Sequence, residues 1–267
     1  MEVIILCGGM GTRLREETEF RPKPMVNIGS RPILWHIMKI FSHYGHKDFF
    51  LALGYKGYVI KEYFQNYELM NNDVLIELGK PECATYMNSN HDENDWKVLL
   101  ADTGELALKG ARLKRLEKYI KGDDFLVTYG DGVSDIDINS LLSFHRSHGK
   151  IATVTGVNPT ARFGELEFVD DCVTSFQEKP TTSSSTRVIS GGFFVFNRRI
   201  FDYLTDDDAC DLEYGALEKL AEGGELMLFR HQGFWACMDT FRDMQYLNRL
   251  WETRRADWKV WTNGARL

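Results

Sequence analysis

Residues 3–7, Val-Ile-Ile-Leu-Cys, are apolar without interruption and stop at Gly8-Gly9. A run of this length with no polar alternation suits a strand buried on both faces, and such strands belong to parallel sheets covered by helices. Its end at two glycines puts a permissive turn at the strand's carboxyl edge, where open α/β sheets bind ligands. That junction favours an α/β chain over an all-α or all-β one.

The rest of the pattern agrees. Apolar residues at Ile33, Ile37, Ile40, Phe41 and Tyr44, with Pro32 in the first turn and Gly45 as a stop, describe an amphipathic helix. Strands are expected at 48–53, 74–78 and 125–129, helices at 58–67 and 112–120, and a polar loop at 81–95. After about residue 150 the rhythm changes. Strand-like runs follow at 151–157, 165–169, 173–177 and 192–196, with Asp170-Asp171 able to turn a hairpin, and helices at 198–204, 211–222 and 240–258. The predicted fold class is α/β: a Rossmann-like, mostly parallel mixed sheet flanked by helices, with a smaller β-hairpin and helical C-terminal part. No repeat or linker divides the 267 residues, so a single domain, 1–267, is expected.

Composition narrows the function classes. With 39 acidic against 32 basic residues the net charge is −7, which argues against nucleic-acid or anionic-membrane partners. No apolar stretch is long enough to span a bilayer, and the first residues lack the basic segment of a secretory signal. Cysteines 7, 83, 172, 210 and 237 are odd in number and widely spaced, which fits a reducing, cytoplasmic setting better than a disulfide framework.

The chemistry starts at Gly8-Gly9-Met10-Gly11-Thr12-Arg13-Leu14. Glycines here let backbone N–H groups approach phosphate oxygens, and Arg13 adds a fixed fork of donors. A dinucleotide fingerprint fails because Leu14 stands where the third glycine belongs, and no Gly-Lys-Ser/Thr P-loop is present. On the glycines alone, a tight turn without a ligand explains the segment equally well. Lys23, held between Pro22 and Pro24, adds a preset cation suited to charge developing on phosphate.

The two-part motif Gly8–Leu14 and Pro22-Lys23-Pro24-Met25 resembles the signature of the sugar nucleotidyltransferases. Other stretches are similar to the glucose-1-phosphate cytidylyltransferase branch, among them Pro32–Met38, Gly54–Phe64, Asp102-Thr103-Gly104, Tyr129–Val133, Phe176–Pro180 and Met238-Asp239-Thr240. The resemblance implies a fold half that binds nucleotide (about 1–150) and a half that binds sugar (about 151–267). It implies that Gly8, Gly9, Gly11, Thr12 and Arg13 line the nucleotide phosphates, that backbone near Leu6 and Gly8 faces the base, and that Lys23 meets the α-phosphate. Thr103 and Arg112 fall at positions implied to contact nucleotide. Gly164, Glu178, Lys179 and Gly192 fall at the sugar-phosphate site, and Asp131 and Asp239 at the carboxylates that hold Mg²⁺. Arg13, Lys23 and Asp131 would carry catalysis.

Elementary chemistry supports the carboxylates unequally. Asp131 ends a buried strand between two glycines and can reach a cleft, although a turn-capping carboxylate is its plain alternative. Asp239 precedes Thr240 and a helical segment, so taken alone it reads better as an N-cap. The implied substrates are CTP and glucose 1-phosphate and the implied assembly a homo-oligomer, a hexamer among the options. Uridylyl or thymidylyl transfer, or a non-catalytic nucleotide-sensing relative, remain as alternatives. No catalytic His or Cys is expected: His43/His46 and His145/His148 read as solvated helix ends and Cys7 as a small space-filling thiol. The Ser/Thr tract at 181–186 reads as an exposed loop that orders on substrate binding.

Overall fold

A computed structural model of the chain describes residues 1–79, 84–87, 91–158, 165–169, 172–177 and 188–262. Seven strands form its central sheet: β1 (Glu2–Leu6), β2 (Asp48–Leu53), β3 (Lys97–Asp102), β4 (Asp124–Tyr129), β5 (Ala152–Val157), β6 (Ile189–Asn197) and β7 (Leu226–His231). In space their order is β7-β5-β6-β4-β1-β2-β3. The pairs β4-β1, β1-β2, β2-β3 and β5-β7 are parallel, while β6 runs antiparallel to both neighbours. The mostly parallel mixed α/β sheet expected from the sequence is therefore present. The chain leaves β1 towards β2 on one side and later returns as β4 on the other, which makes β1 a switch point and opens a crevice at its carboxyl end.

Two apolar clusters cover the two faces of this sheet. Val3 and Ile5 pack on one side with Ile33, Ile37 and Phe41 of the helix Ile33–His43. Ile4 and Leu6 pack on the other with Leu113, Leu116, Phe125 and Val127. Successive residues of a strand point to opposite faces, so an unbroken apolar run is what two covered faces require. Helix Ile33–His43 follows Pro32, which stands at the N-cap rather than inside the first turn, and Gly45 takes the left-handed φ of +85° that ends it.

Several expected elements need correction. Val74–Ile76 is a strand, but it pairs with Ala84–Tyr86 in a separate two-stranded ribbon. The sheet edge is instead β3, whose Val-Leu-Leu-Ala run between charged ends was not assigned from sequence. Helix Ile138–His148, with Asp137 accepting from two amides at its N-cap, and half-exposed β7 are likewise new. The expected 211–222 helix is broken at Tyr214–Gly215 by non-helical backbone, and the 240–258 helix ends at Glu252. The hairpin of Glu165–Val169 with Cys172–Gln177 forms as expected, while the 181–186 tract lies outside the described residues.

The aromatic C-terminus belongs to the core. Trp258 is fully buried and Trp261 nearly so, and Trp258 donates to His36 Nδ1 at 3.4 Å. His145 is buried as well, against the expectation of a solvated helix end. It and His148 each meet the Thr153 hydroxyl at 2.8 Å. Among the described residues no helix is long and apolar enough to cross a membrane.

Candidate active site

The carboxyl ends of β1 and β4 open onto a cleft of about 650 Å³. Leu6–Gly11 with Arg13, Lys23-Pro24, Glu105–Lys109 with Arg112, Thr128–Gly132, and Ser190-Gly191 line it, together with Trp235, Cys237 and Asp239. Because β6 is antiparallel, it is its amino end that brings Ser190 and Gly191 to this edge. Trp235 Nε1 donates to Gly191 O at 2.7 Å and ties that edge to the far wall.

One wall is built on Arg112, only 4% exposed. Its Nη1 donates to Leu53 O (3.0 Å), Gly104 O (2.7 Å) and the Thr103 hydroxyl (3.0 Å), and its Nη2 to Gly8 O and Glu105 O (both 3.1 Å). The Thr103 hydroxyl in turn donates to Leu53 O at 2.7 Å. These carbonyls come from the ends of β1, β2 and β3, so the guanidinium pins three loops into one surface. The packing explains two glycines: a Cβ at Gly8 would lie 2.1 Å from the guanidinium carbon, and one at Gly54 2.4 Å from Nη1. Burial draws the Arg112 pKa below its ordinary value, with Cys7 opposing that shift. Cys7 is itself 1% exposed, and burial, opposed by Arg112, raises its thiol well above the usual range.

The opposite corner is acidic and cationic at once. A short antiparallel ribbon pairs Gly132 with Cys237, and Met238 N donates to Asp131 O at 2.8 Å, so Asp131 and Asp239 emerge side by side. Lys23 Nζ lies 2.8 Å from Asp131 Oδ2 and 2.7 Å from Asp239 Oδ1, across 108 and 216 residues of sequence. Arg13 Nη1 reaches Asp239 Oδ2 at 3.1 Å while staying 71% exposed. Burial alone would lower the Lys23 pKa, but Asp131, and after it Asp239, outweigh burial and raise it. The Lys23–Met25 turn is fixed by Met25 N donating to Pro22 O, and Pro24 packs so closely on Gly130 that a Cβ there would meet Pro24 Cγ at 2.8 Å.

Asp239 is not the helix cap that its sequence context favours. Thr240 caps Phe241–Glu252 in a capping box with Asp243, which leaves the Asp239 carboxylate facing Lys23 and Arg13. Asp131, Cys237 and Asp239 each offer a ligand atom within 4.8 Å of the others. The two carboxylates are hard oxygen donors that fit a small divalent cation, while the Cys237 thiol, whose pKa burial raises, stands beside them as a neighbour and not as a ligand of that kind.

Of the other sequence candidates, Leu6, Gly8, Gly9 and Gly11 line the cleft. Gly11 needs its glycine, having φ +63° and Thr18 Cγ2 2.8 Å from a would-be Cβ. Thr12 is exposed beside the loop, Thr103 is buried behind the wall, and Gly192 has φ +77°, where a Cβ would meet the Tyr129 ring at 2.6 Å. Gly164, Glu178 and Lys179 lie outside the described residues. Sequence reasoning missed the Glu105–Lys109 wall and a polar group behind it. In that group the Tyr129 hydroxyl donates to Glu213 Oε1, and Lys109 Nζ binds the same oxygen at 2.6 Å. The Asp102-Thr103-Gly104 stretch directly precedes that wall and was the available signal; for Trp235 there was none.

Comparison with known proteins gives consistent matches. The description of the family Nucleotidyl transferase fits residues 2–252. A glucose-1-phosphate cytidylyltransferase of Salmonella typhi is 51% identical over 98% of this chain and 100% of its own length. A Bacillus subtilis protein named "Probable glucose-1-phosphate cytidylyltransferase" is 41% identical, also over 98% and 100%. Among solved structures, an inositol-1-phosphate CTP transferase from T. maritima superimposes with a TM-score of 0.63 at 15% identity, covering 98% of this chain and 97% of the other.

Proposed function

From its membership of the nucleotidyl transferase family, beside the glucose-1-phosphate cytidylyltransferases, we propose that this chain transfers the cytidylyl group of CTP to α-D-glucose 1-phosphate, giving CDP-glucose and pyrophosphate. The observation that carries the reading is the convergence of Lys23, Arg13, Asp131 and Asp239 beside the Gly8–Gly11 loop at the switch point of the sheet. A triphosphate laid on the loop would meet backbone N–H groups, with Arg13 and Lys23 supplying positive charge where the α-phosphorus is attacked.

The acceptor is a phosphate monoester, ionised near neutral pH, so its oxygen attacks without help from a general base. The α-phosphorus–oxygen bond to the new sugar phosphate forms as the bond to pyrophosphate breaks. The residues' task is positioning and charge neutralisation. Enzymes of this family generally depend on a divalent metal. Asp131 and Asp239 are the residues that would hold Mg²⁺, which when bound would neutralise phosphate charge. Arg112 and Thr103 are read as shaping the nucleotide wall. Gly164, Glu178, Lys179 and Gly192 keep their proposed place at the sugar phosphate through the family resemblance.

Cys7, Cys210 and Cys237 are free thiols, which suits a reducing cytosol. Exposed Met70, Leu75, Ile76 and Leu78 offer apolar area for a homo-oligomer. Light scattering on the purified protein tests that assembly, and a monomer mass would contradict it. The nucleotide is tested by side-by-side turnover of CTP, UTP, dTTP, ATP and GTP with glucose 1-phosphate. CTP is expected to dominate. A preference for UTP or dTTP would keep the mechanism and replace the donor, and nucleotide binding without turnover of any sugar phosphate would favour a sensing role.

A further inference from the structure

Asp131 and Asp239 are already in the hands of a cation. The Lys23 ammonium lies 2.8 Å from an oxygen of one and 2.7 Å from an oxygen of the other, and so stands at the point between them. A divalent ion held by both carboxylates would draw on the oxygens that the ammonium already occupies. Ammonium and metal ion would therefore compete for the same pair of carboxylates. Arg13 does not share in this competition to the same degree, since of the two carboxylates it meets Asp239, at the oxygen that Lys23 does not use.

Lys23 is also built to move at its side chain and nowhere else. Its backbone is locked by the Lys23–Met25 turn, by the flanking prolines and by Pro24 against Gly130. Its stem begins beside the phosphate loop: a Cβ built on Gly11 would lie 3.4 Å from Lys23 Cβ. Rotation about the side-chain bonds is enough to carry the ammonium from the carboxylates towards Gly8–Gly11, where phosphate oxygens are expected.

We propose that Lys23 is an internal stand-in cation: it holds Asp131 and Asp239 together and yields them to the divalent ion when the triphosphate draws the ammonium onto the glycine loop, so that metal and nucleotide load together. The inference rests on the reading of Asp131 and Asp239 as metal ligands. The exchange keeps the charge between the two carboxylates neutralised throughout. It also makes a metal ion without nucleotide a poor ligand for this protein, because the apparent affinity is reduced by the fraction of molecules whose carboxylate pair is free.

The test is direct binding of Mn²⁺ alone to the full chain, read by electron paramagnetic resonance. Wild type is compared with Lys23→Met, Lys23→Gln, Arg13→Met and the double variant Lys23→Met/Asp131→Asn. Thermal unfolding confirms that each is folded. If the pair is free in fewer than roughly a tenth of wild-type molecules, Lys23→Met tightens Mn²⁺ binding by about tenfold or more. Lys23→Gln should follow it, Arg13→Met should gain much less, and adding Asp131→Asn should abolish the gain. Unchanged affinity in both Lys23 variants, or an equal gain from Arg13→Met, would overturn the exchange. The metal-site reading would fail separately if Asp131→Asn altered Mn²⁺ binding neither in the double variant nor, as a single change, in the presence of CTP.

Discussion

The two walls of the cleft each hold a cation, and they hold it in opposite ways. Arg112 is buried and gives its donors to backbone carbonyls of Leu53, Gly104, Gly8 and Glu105. Lys23 gives its donors to two side-chain carboxylates, and a third cation, Arg13, reaches one of them from solvent. Carbonyl oxygens from three loop ends cannot rearrange without the loops, so the Arg112 wall is a fixed mould. Carboxylates accept any cation of suitable size, so the Lys23 corner is exchangeable. A cleft that must hold a triphosphate in place and still let charge move needs one wall of each kind.

Substitutions separate the fixed mould from the exchangeable corner. Lys23→Ala and Asp131→Asn should have the largest effect, lowering kcat by on the order of a hundred to a thousandfold with little change in unfolding temperature. Steady-state kinetics beside thermal unfolding checks both halves. A large loss of stability with normal turnover would make the corner a structural clamp.

Arg112→Met should show the reverse balance. It takes the guanidinium from the Gly104 and Glu105 carbonyls and one of several partners from Leu53 O, Gly8 O and the Thr103 hydroxyl, and it should lower stability by about 3 kcal/mol in denaturant unfolding. If it left stability intact and weakened only CTP binding, Arg112 would be a ligand contact rather than a mould. Gly54→Ala puts a methyl group against the same guanidinium, and a cost of roughly 1–3 kcal/mol is expected. An unchanged midpoint would mean that the guanidinium can shift and the wall is softer than drawn.

The smallest effect separates two neighbours on the other wall. Thr240→Ala removes the cap of the last helix and should cost about 1 kcal/mol with near-normal kcat. Asp239→Asn should keep the helix and lose turnover. Equal kinetic damage from both would return Asp239 to a capping role.

What was legible in the sequence follows from how local each feature is. The β1–glycine junction, the proline-held Lys23 and the glycine-flanked Asp131 each carry their meaning within a few residues. Asp239 did not, because Asp-Thr before a helix is a cap signal whichever of the two residues caps, and only the ribbon Gly132–Ser134 with Trp235–Cys237 turns its carboxylate to Lys23. Arg112 sits in Lys-Gly-Ala-Arg-Leu-Lys-Arg-Leu among other basic residues, and nothing in that spacing says which one is swallowed by the loops. β3 and β7 escaped notice although each carries four apolar residues in a row, Val98–Ala101 and Leu226–Phe229, because a short apolar run by itself does not separate a strand from a stretch of helix. Val74–Ile76 had the composition of a strand, but strand composition does not say which sheet will take it.

The most direct measurement follows the ³¹P resonances of CTP and glucose 1-phosphate on addition of the purified protein and Mg²⁺. Both should be consumed together, CDP-glucose and pyrophosphate should appear in equal amounts, and chelating the metal should stop the exchange. CTP held by the protein with no pyrophosphate formed, whatever sugar phosphate is supplied, would contradict cytidylyl transfer.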